Sequence, residues 1–290
     1  MTRVLVVGDV MVDVVARLDA PIARGSDAPA QINFGAGGSA ANVAAWLAAA
    51  GAAPVLAGRV GDDARGRGAR AALQAAGVDA RLAVDSELAT GTCVVIVEPG
   101  GERTMMPDPG ANDALALEDL PFDLFVPGTH LHVPGYALLR AGSRRAASAA
   151  IARAGEQGMH VSVDPSSAAL LSPEFLDLAQ GARLLLPNAA EARALTGESA
   201  PEPAARRLCA RFDEVVVTLG AEGALWSDGD SVCRASAEAG VEAVVDTTGA
   251  GDAFAAGLIA ARAEGADPPT ALAAGCRLAA RAVALPGARP

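Results

Sequence analysis

The segment Asp246-Thr-Thr-Gly-Ala-Gly-Asp252 runs straight into an apolar, alanine-rich stretch. Gly249 and Gly251 let the backbone turn tightly and come close to a ligand. A helix that begins there presents unbonded N–H groups and the positive end of its dipole, which together make an anion site. Asp252 falls in the first turn of that helix, where it and a bound anion repel. Taking a proton from an attacking hydroxyl gives the carboxylate a purpose, although an aspartate capping a helix after a glycine turn has the same local pattern. A second glycine cluster, Gly35-Ala-Gly-Gly-Ser-Ala-Ala-Asn42, also opens a helix. Its N–H groups and the Asn42 amide, which donates and accepts, suit a small polar ligand such as a diol. A plain glycine-rich turn reads equally well.

The elements that must position these residues follow from the hydrophobic pattern. Short apolar runs closed by turn residues predict buried strands at residues 4–7, 55–60, 124–126, 161–163, 184–186 and 215–218. Helical patterns cover 40–50, capped by Ser39 and stopped by Gly51, then 64–76, 137–157 as the longest, 250–264 and 269–284. This alternation implies an α/β fold whose mostly parallel central sheet is flanked by helices on both faces. Residues 78–107 interrupt it. Short β-type runs at 92–97 and 103–106 flank a Pro99-Gly100-Gly101 turn, and no helix fits. They predict a small β insertion, paired with residues 12–18 and 29–34, within one domain spanning 1–290.

Composition removes several alternatives. The 290 residues contain no lysine, so all 23 cations are arginine. That excludes a P-loop lysine, the strand lysine of a protein kinase and any Schiff base. A net charge of −11 with scattered arginines argues against nucleic acid as a partner. Cys93, Cys209, Cys233 and Cys276 form no CxxC pair, and the three histidines lack zinc spacing. Reduced thiols in a cytoplasmic protein are expected. The uncharged stretch 28–58 contains Asn33, Asn42, Gly51 and Pro54, which favours a buried helix bounded by glycines over a membrane span.

In chain order, Gly8-Asp9 with Asp13, the segment Gly37 to Asn42, Asn188-x-x-Glu191, Thr218-Leu-Gly-x-x-Gly223 and the Asp246 to Asp252 motif resemble the PfkB, ribokinase-like family of sugar and nucleoside kinases. The resemblance covers nearly the whole chain. It implies a ribokinase-like fold, with a small β-sheet lid built from segments at roughly 12–34 and 78–112. It also implies ATP-dependent phosphorylation of a hydroxyl, Mg²⁺ as cofactor and a monovalent cation such as K⁺ as a further one. Carried onto this sequence, it gives Asp252 as general base and the Gly249, Ala250 and Gly251 N–H groups as anion hole. Asp13, Gly38 and Asn42 fall on the sugar, and Arg103 on a lid position that binds the substrate or reaches the phosphates. Asn188, Thr218, Gly220, Gly223 and Cys276 fall on the nucleotide, and Glu191 on Mg²⁺ through water. Taken from the residues alone, Asn188 and Glu191 also read as a polar helix turn, Thr218 to Gly223 as a strand-end turn, Arg103 as a hairpin surface residue and Cys276 as core. Ala111-Asn112 matches the point where the lid rejoins the core.

Two departures bear on the substrate. Asp164-Pro-Ser166 lacks the asparagine and nearby arginine of fructokinase-like members, and the opening lacks the Asn-Pro of sugar-phosphate kinases. With few arginines near the motifs, an unphosphorylated sugar or sugar acid is expected. A nucleoside is the alternative, for which only Phe34 stands near the sugar motif to stack a base. A non-catalytic nucleotide-binding protein leaves Asp252 unexplained, and no GxGxxG follows the first strand. The expected partners are sugar, ATP and a second copy of the chain joined through the lid, with no membrane.

Overall fold

Val4 to Val7 are all fully buried because both faces of their strand are covered. Val4 and Val6 pack with Trp46 and Phe254 in one core, while Leu5 and Val7 pack with Ile151 and Leu131 in another. The computed structural model describes residues 3–100, 102–238 and 244–290. Along them run β1 (Arg3–Val7), β2 (Met11–Leu18), β3 (Ala30–Gly37), α1 (Ser39–Ala49), β4 (Ala53–Gly61), α2 (Ala64–Ala75), β5 (Asp79–Asp85), β6 (Gly91–Val97) and β7 (Arg103–Asp108). Then come β8 (His130–Pro134), α3 (Tyr136–Leu139), α4 (Arg144–Glu156), β9 (His160–Asp164), α5 (Phe175–Leu178), β10 (Leu184–Leu185), α6 (Ala189–Thr196) and α7 (Pro201–Leu208). β11 (Glu214–Thr218), β12 (Ala224–Ser227), β13 (Val232–Ala235), α8 (Ala250–Ala263) and α9 (Pro268–Val283) complete them.

Among the described residues the large sheet has the order β13-β12-β11-β10-β9-β8-β1-β4-β5. It is parallel from β11 to β5, and only the β11–β12 and β12–β13 pairings are antiparallel. A separate sheet has the order β3-β2-β6-β7. Its register sorts the side chains onto two faces. Asp13 lies opposite Gly35 and Cys93, and Cys93 opposite Pro107, on the face that looks onto the large sheet's ligand end. Val14 lies opposite Phe34 and Val94, and Val94 opposite Met106, on the outer face.

Four expectations are revised. Residues 79–85 pair with β4 in the large sheet, so from the 78–112 segment the small sheet takes only β6 and β7. The Pro99-Gly100-Gly101 turn lies partly outside the described residues. The strand expected at 124–126 is a 3₁₀ turn, Phe122–Leu124, and the strand is β8. Its two histidines conceal it, because each is buried by sharing the Ser162 hydroxyl, His130 Nε2 at 2.7 Å and His132 Nδ1 at 2.9 Å. The helix expected at 137–157 is two. The Ser143 hydroxyl donates to the Ala137 carbonyl and Arg144 to those of Leu138 and Leu139, which takes the carbonyls a continuous helix needs. The longest helix is α9, and the β12–β13 hairpin was unforeseen.

Candidate active site

Asp9, Asp164, Asn188 and Thr218 lie at or just beyond the carboxyl ends of β1, β9, β10 and β11, where open parallel sheets gather ligands. Facing them are the starts of α1 and α8 and the inner face of the small sheet. Together they enclose a cleft of about 300 Å³, which is small-molecule size.

At α1 the local chemistry differs from the expected Ser39 cap. Gly38 occupies the cap position at φ 91°, and a Cβ there would lie 2.6 Å from the Asp9 carbonyl oxygen and 2.8 Å from the Met11 nitrogen, so only glycine fits. Asp9 caps the helix from a distance: its carboxylate accepts the Ala40 N–H at 3.1 Å and its carbonyl the Ala41 N–H at 3.2 Å. The Ser39 hydroxyl is thereby free to donate to Asp252 Oδ1 at 2.7 Å, and Asn42 Nδ2 donates to Asp252 Oδ2 at 2.9 Å. The two glycine motifs, 210 residues apart, thus meet on one carboxylate.

Asp252 stands in the first turn of α8, whose cap is Gly249 in the left-handed region. Burial pushes its carboxyl up to about 6, against the lowering effect of the Ser39 and Asn42 hydrogen bonds. Gly249 and Gly251 line the cleft. The Ala250 N–H is engaged at 3.3 Å by the Thr247 carbonyl. Asp13, buried on β2, is likewise pushed up to about 6 by burial, with Arg289 opposing.

Arg289 is a residue that sequence reasoning missed. Its Nε donates to Asn42 Oδ1 at 2.9 Å and its Nη2 to the Gly37 carbonyl at 2.6 Å. This fixes the Asn42 amide with its NH₂ toward Asp252. The tail carrying Arg289 is anchored by Trp46 Nε1, which donates to the Ala288 carbonyl at 2.9 Å. It packs so closely on Gly249 that a Cβ there would lie 2.6 Å from that same oxygen. No motif marks this arginine.

Asn188 and Glu191 form a reciprocal capping box on α6: Asn188 Oδ1 accepts the Glu191 N–H at 2.9 Å, and Glu191 Oε2 accepts the Asn188 N–H at 2.8 Å. Both also line the cleft, beside Asp164. Burial, then the Glu191 and Asp252 charges, holds the Asp164 carboxyl far above the usual range, and burial raises Glu191. This unneutralised pair of hard oxygen donors fits a hard cation. No cluster of three or more such ligands exists among the described residues.

Thr218 lines the cleft at the end of β11. Gly220 and Gly223 shape the turn behind it, and Gly223 presses on the Ala235 carbonyl oxygen. Cys276 is buried in the core against α8, outside the cleft lining, and burial raises its thiol. Arg103 reaches the loop that leads into α8. It donates to Asp246 at 2.6 Å and to the Thr247 and Thr248 hydroxyls, tethering the small sheet to the loop before α8. Phe34 lies on the outer face, 76% exposed, and cannot stack a ligand in the cleft.

The chain matches the pfkB family carbohydrate kinase profile over residues 1–290. It is 37% identical over 236 residues to a fructokinase of Klebsiella pneumoniae, covering 77% of this chain and 76% of the relative. It is 35% identical over 266 residues to an ATP-dependent ribose-1-phosphate kinase of Halopiger xanaduensis, covering 90% and 84%. Among solved structures, adenosine kinase from Sinorhizobium meliloti superposes with a TM-score of 0.91 at 26% identity, covering 100% of this chain and 96% of that one.

Proposed function

The chain belongs to the pfkB family and is an ATP-dependent carbohydrate kinase, and from that premise we propose how its cleft phosphorylates a small sugar or sugar acid. Asp252 is the general base. The observation that carries this is its carboxylate, held by Ser39 and Asn42 at the start of α8, with a pKa brought to about 6. A base near that value is ionised at neutral pH and still holds a proton well enough to take one from a hydroxyl in the transition state. Asp13 and Gly38 place the acceptor, and Asn42 orients Asp252. The N–H groups at the start of α8, those of Gly249 and Gly251 foremost, stabilise charge on the migrating phosphoryl, and one such donor is commonly worth about 10²–10³ in kcat. Thr218 and Asn188 border the nucleotide. Glu191 and Asp164 would hold Mg²⁺, which would supply charge neutralisation of the phosphates.

The relatives carry the names of kinases for fructose, ribose 1-phosphate and adenosine, so the choice of acceptor rests on this cleft. Its aromatic lining is limited to Tyr136 and Phe254, and Phe34 faces away, which favours a sugar over a nucleobase. ADP release measured against a panel of sugars, sugar acids and nucleosides tests the assignment. Asp252→Asn should lower kcat ~10²–10⁴-fold while nucleotide still binds. Turnover like that of the unsubstituted enzyme would remove Asp252 from the chemistry.

A further inference from the structure

Arg140 lines a cleft whose other charged lining residues, among those described, are Asp9, Asp13, Asp164, Glu191 and Asp252. Arg103 and Arg289 nearby are both engaged in hydrogen bonds. The Arg140 guanidinium, by contrast, has no hydrogen bond and no carboxylate within 4 Å among the described residues, and it lies over the Tyr136 ring, 5.6 Å from guanidinium to centroid. Stacking on a ring orients a guanidinium without neutralising it and leaves its donors open. The platform beneath is fixed. Ser166, a non-glycine residue at φ 71°, accepts the Tyr136 N–H on its hydroxyl at 3.3 Å and donates its own N–H to Asp164 at 2.6 Å. Strained backbone of this kind gathers at ligand clamps.

Arg140 and Asp252 reach the cleft from different elements, Arg140 from the end of α3 beyond β8 and Asp252 from the start of α8. The surrounding carboxylates repel an anion from most of the cleft. Two places remain: the start of α8, which serves the phosphoryl group, and the face of Arg140.

Resting on the reading of this cleft as the acceptor site, we propose that the sugar carries an anionic group, carboxylate or phosphate, away from its reacting hydroxyl, and that Arg140 receives it in concert with Tyr136 and Ser166. A planar fork of donors matches either anion. The five carboxylates supply the opposing selection, since they penalise an acceptor whose charge lies anywhere else.

The test compares matched acceptors: glucose with gluconate, and ribose with ribose 1-phosphate. ADP release is measured for the wild-type enzyme, Arg140→Gln and Arg140→Lys. One anionic member is expected to exceed its neutral partner in kcat/KM by about tenfold or more, and Arg140→Gln to erase most of that ratio through KM, with Arg140→Lys between. Gluconate or ribose 1-phosphate as the favoured partner tells carboxylate from phosphate. A thermal shift of the wild-type chain needs no variant, and there the favoured anionic sugar should raise Tm more than its neutral partner. Preference for neutral sugars, with a ratio untouched by Arg140→Gln, overturns this inference alone. Absence of ADP release with every acceptor overturns the acceptor-site reading and this inference with it.

Discussion

Ser39→Ala tests the base assignment more sharply than removal of Asp252, because it keeps the carboxylate, still held by Asn42, and raises its proton affinity. The Ser39 hydroxyl donates to Asp252 Oδ1 at 2.7 Å, a bond made to the charged form. Hydrogen bonds to charged groups contribute about 1.5–3 kcal/mol, and 1.36 kcal/mol is one pKa unit. Loss of the hydroxyl should therefore raise Asp252 from about 6 by roughly 1–2 units. The base must be ionised to accept a proton, so activity falls as pH drops through its pKa, and the variant should lose activity at a higher pH. With a pKa near 7.5, about one-tenth of the variant is ionised at pH 6.5, against roughly three-quarters of the wild type. The expected loss in kcat/KM is ~8-fold at pH 6.5 and under ~2-fold at pH 9. The assay is ADP release across pH 5–9.5 with a buffer series of constant ionic strength. A loss of the same size at every pH, with the acid limb unmoved, would refute the reasoning.

Glu191→Gln keeps an oxygen to accept the Asn188 N–H, so α6 should stay capped, while the loss of charge should raise the Mg²⁺ concentration for half-maximal rate; an unchanged Mg²⁺ titration would leave Glu191 as a cap only. The outer face of the small sheet, with Ile32, Phe34, Val94 and Met106 exposed, is expected to pair with a second copy, and Phe34→Glu should give a monomer by light scattering where the unsubstituted chain gives a dimer. His130 and His132 are both pushed down to about 3, chiefly by burial. Below the unfolded value near 6.5 the unfolded chain binds protons that the folded chain refuses, so stability is lost as pH falls, by up to ~1.4 kcal/mol per pH unit for each histidine. His132→Phe should flatten the fall in Tm between pH 7 and pH 5, and parallel curves for the two proteins would count against it.

The buried runs β1, β4, β9, β10 and β11 were legible because a strand covered on both faces is continuously apolar, and helices α8 and α9 because glycine, aspartate and proline mark their starts. The glycine motifs were legible for a related reason: anion binding by backbone demands glycine at particular spacings, whatever surrounds it. Where polar side chains are satisfied by distant partners, local pattern misleads. His130 and His132 disguise β8 because Ser162 lies on another strand, and Asp79–Asp85 belongs to the large sheet only through its register with β4. The same holds at the cleft. Asp9 takes over the capping of α1 and releases Ser39 to Asp252, and Arg103 ties the small sheet to the loop before α8. Arg289 and Arg140 carry no motif, since an arginine needs only reach and a vacancy, and both are conferred by elements far apart in the chain. The sequence by itself determined the chemistry that its glycines and Asp252 can perform. Tertiary structure alone decided which charges surround that chemistry, because electrostatic neighbours depend on distance through space and not on position along the chain.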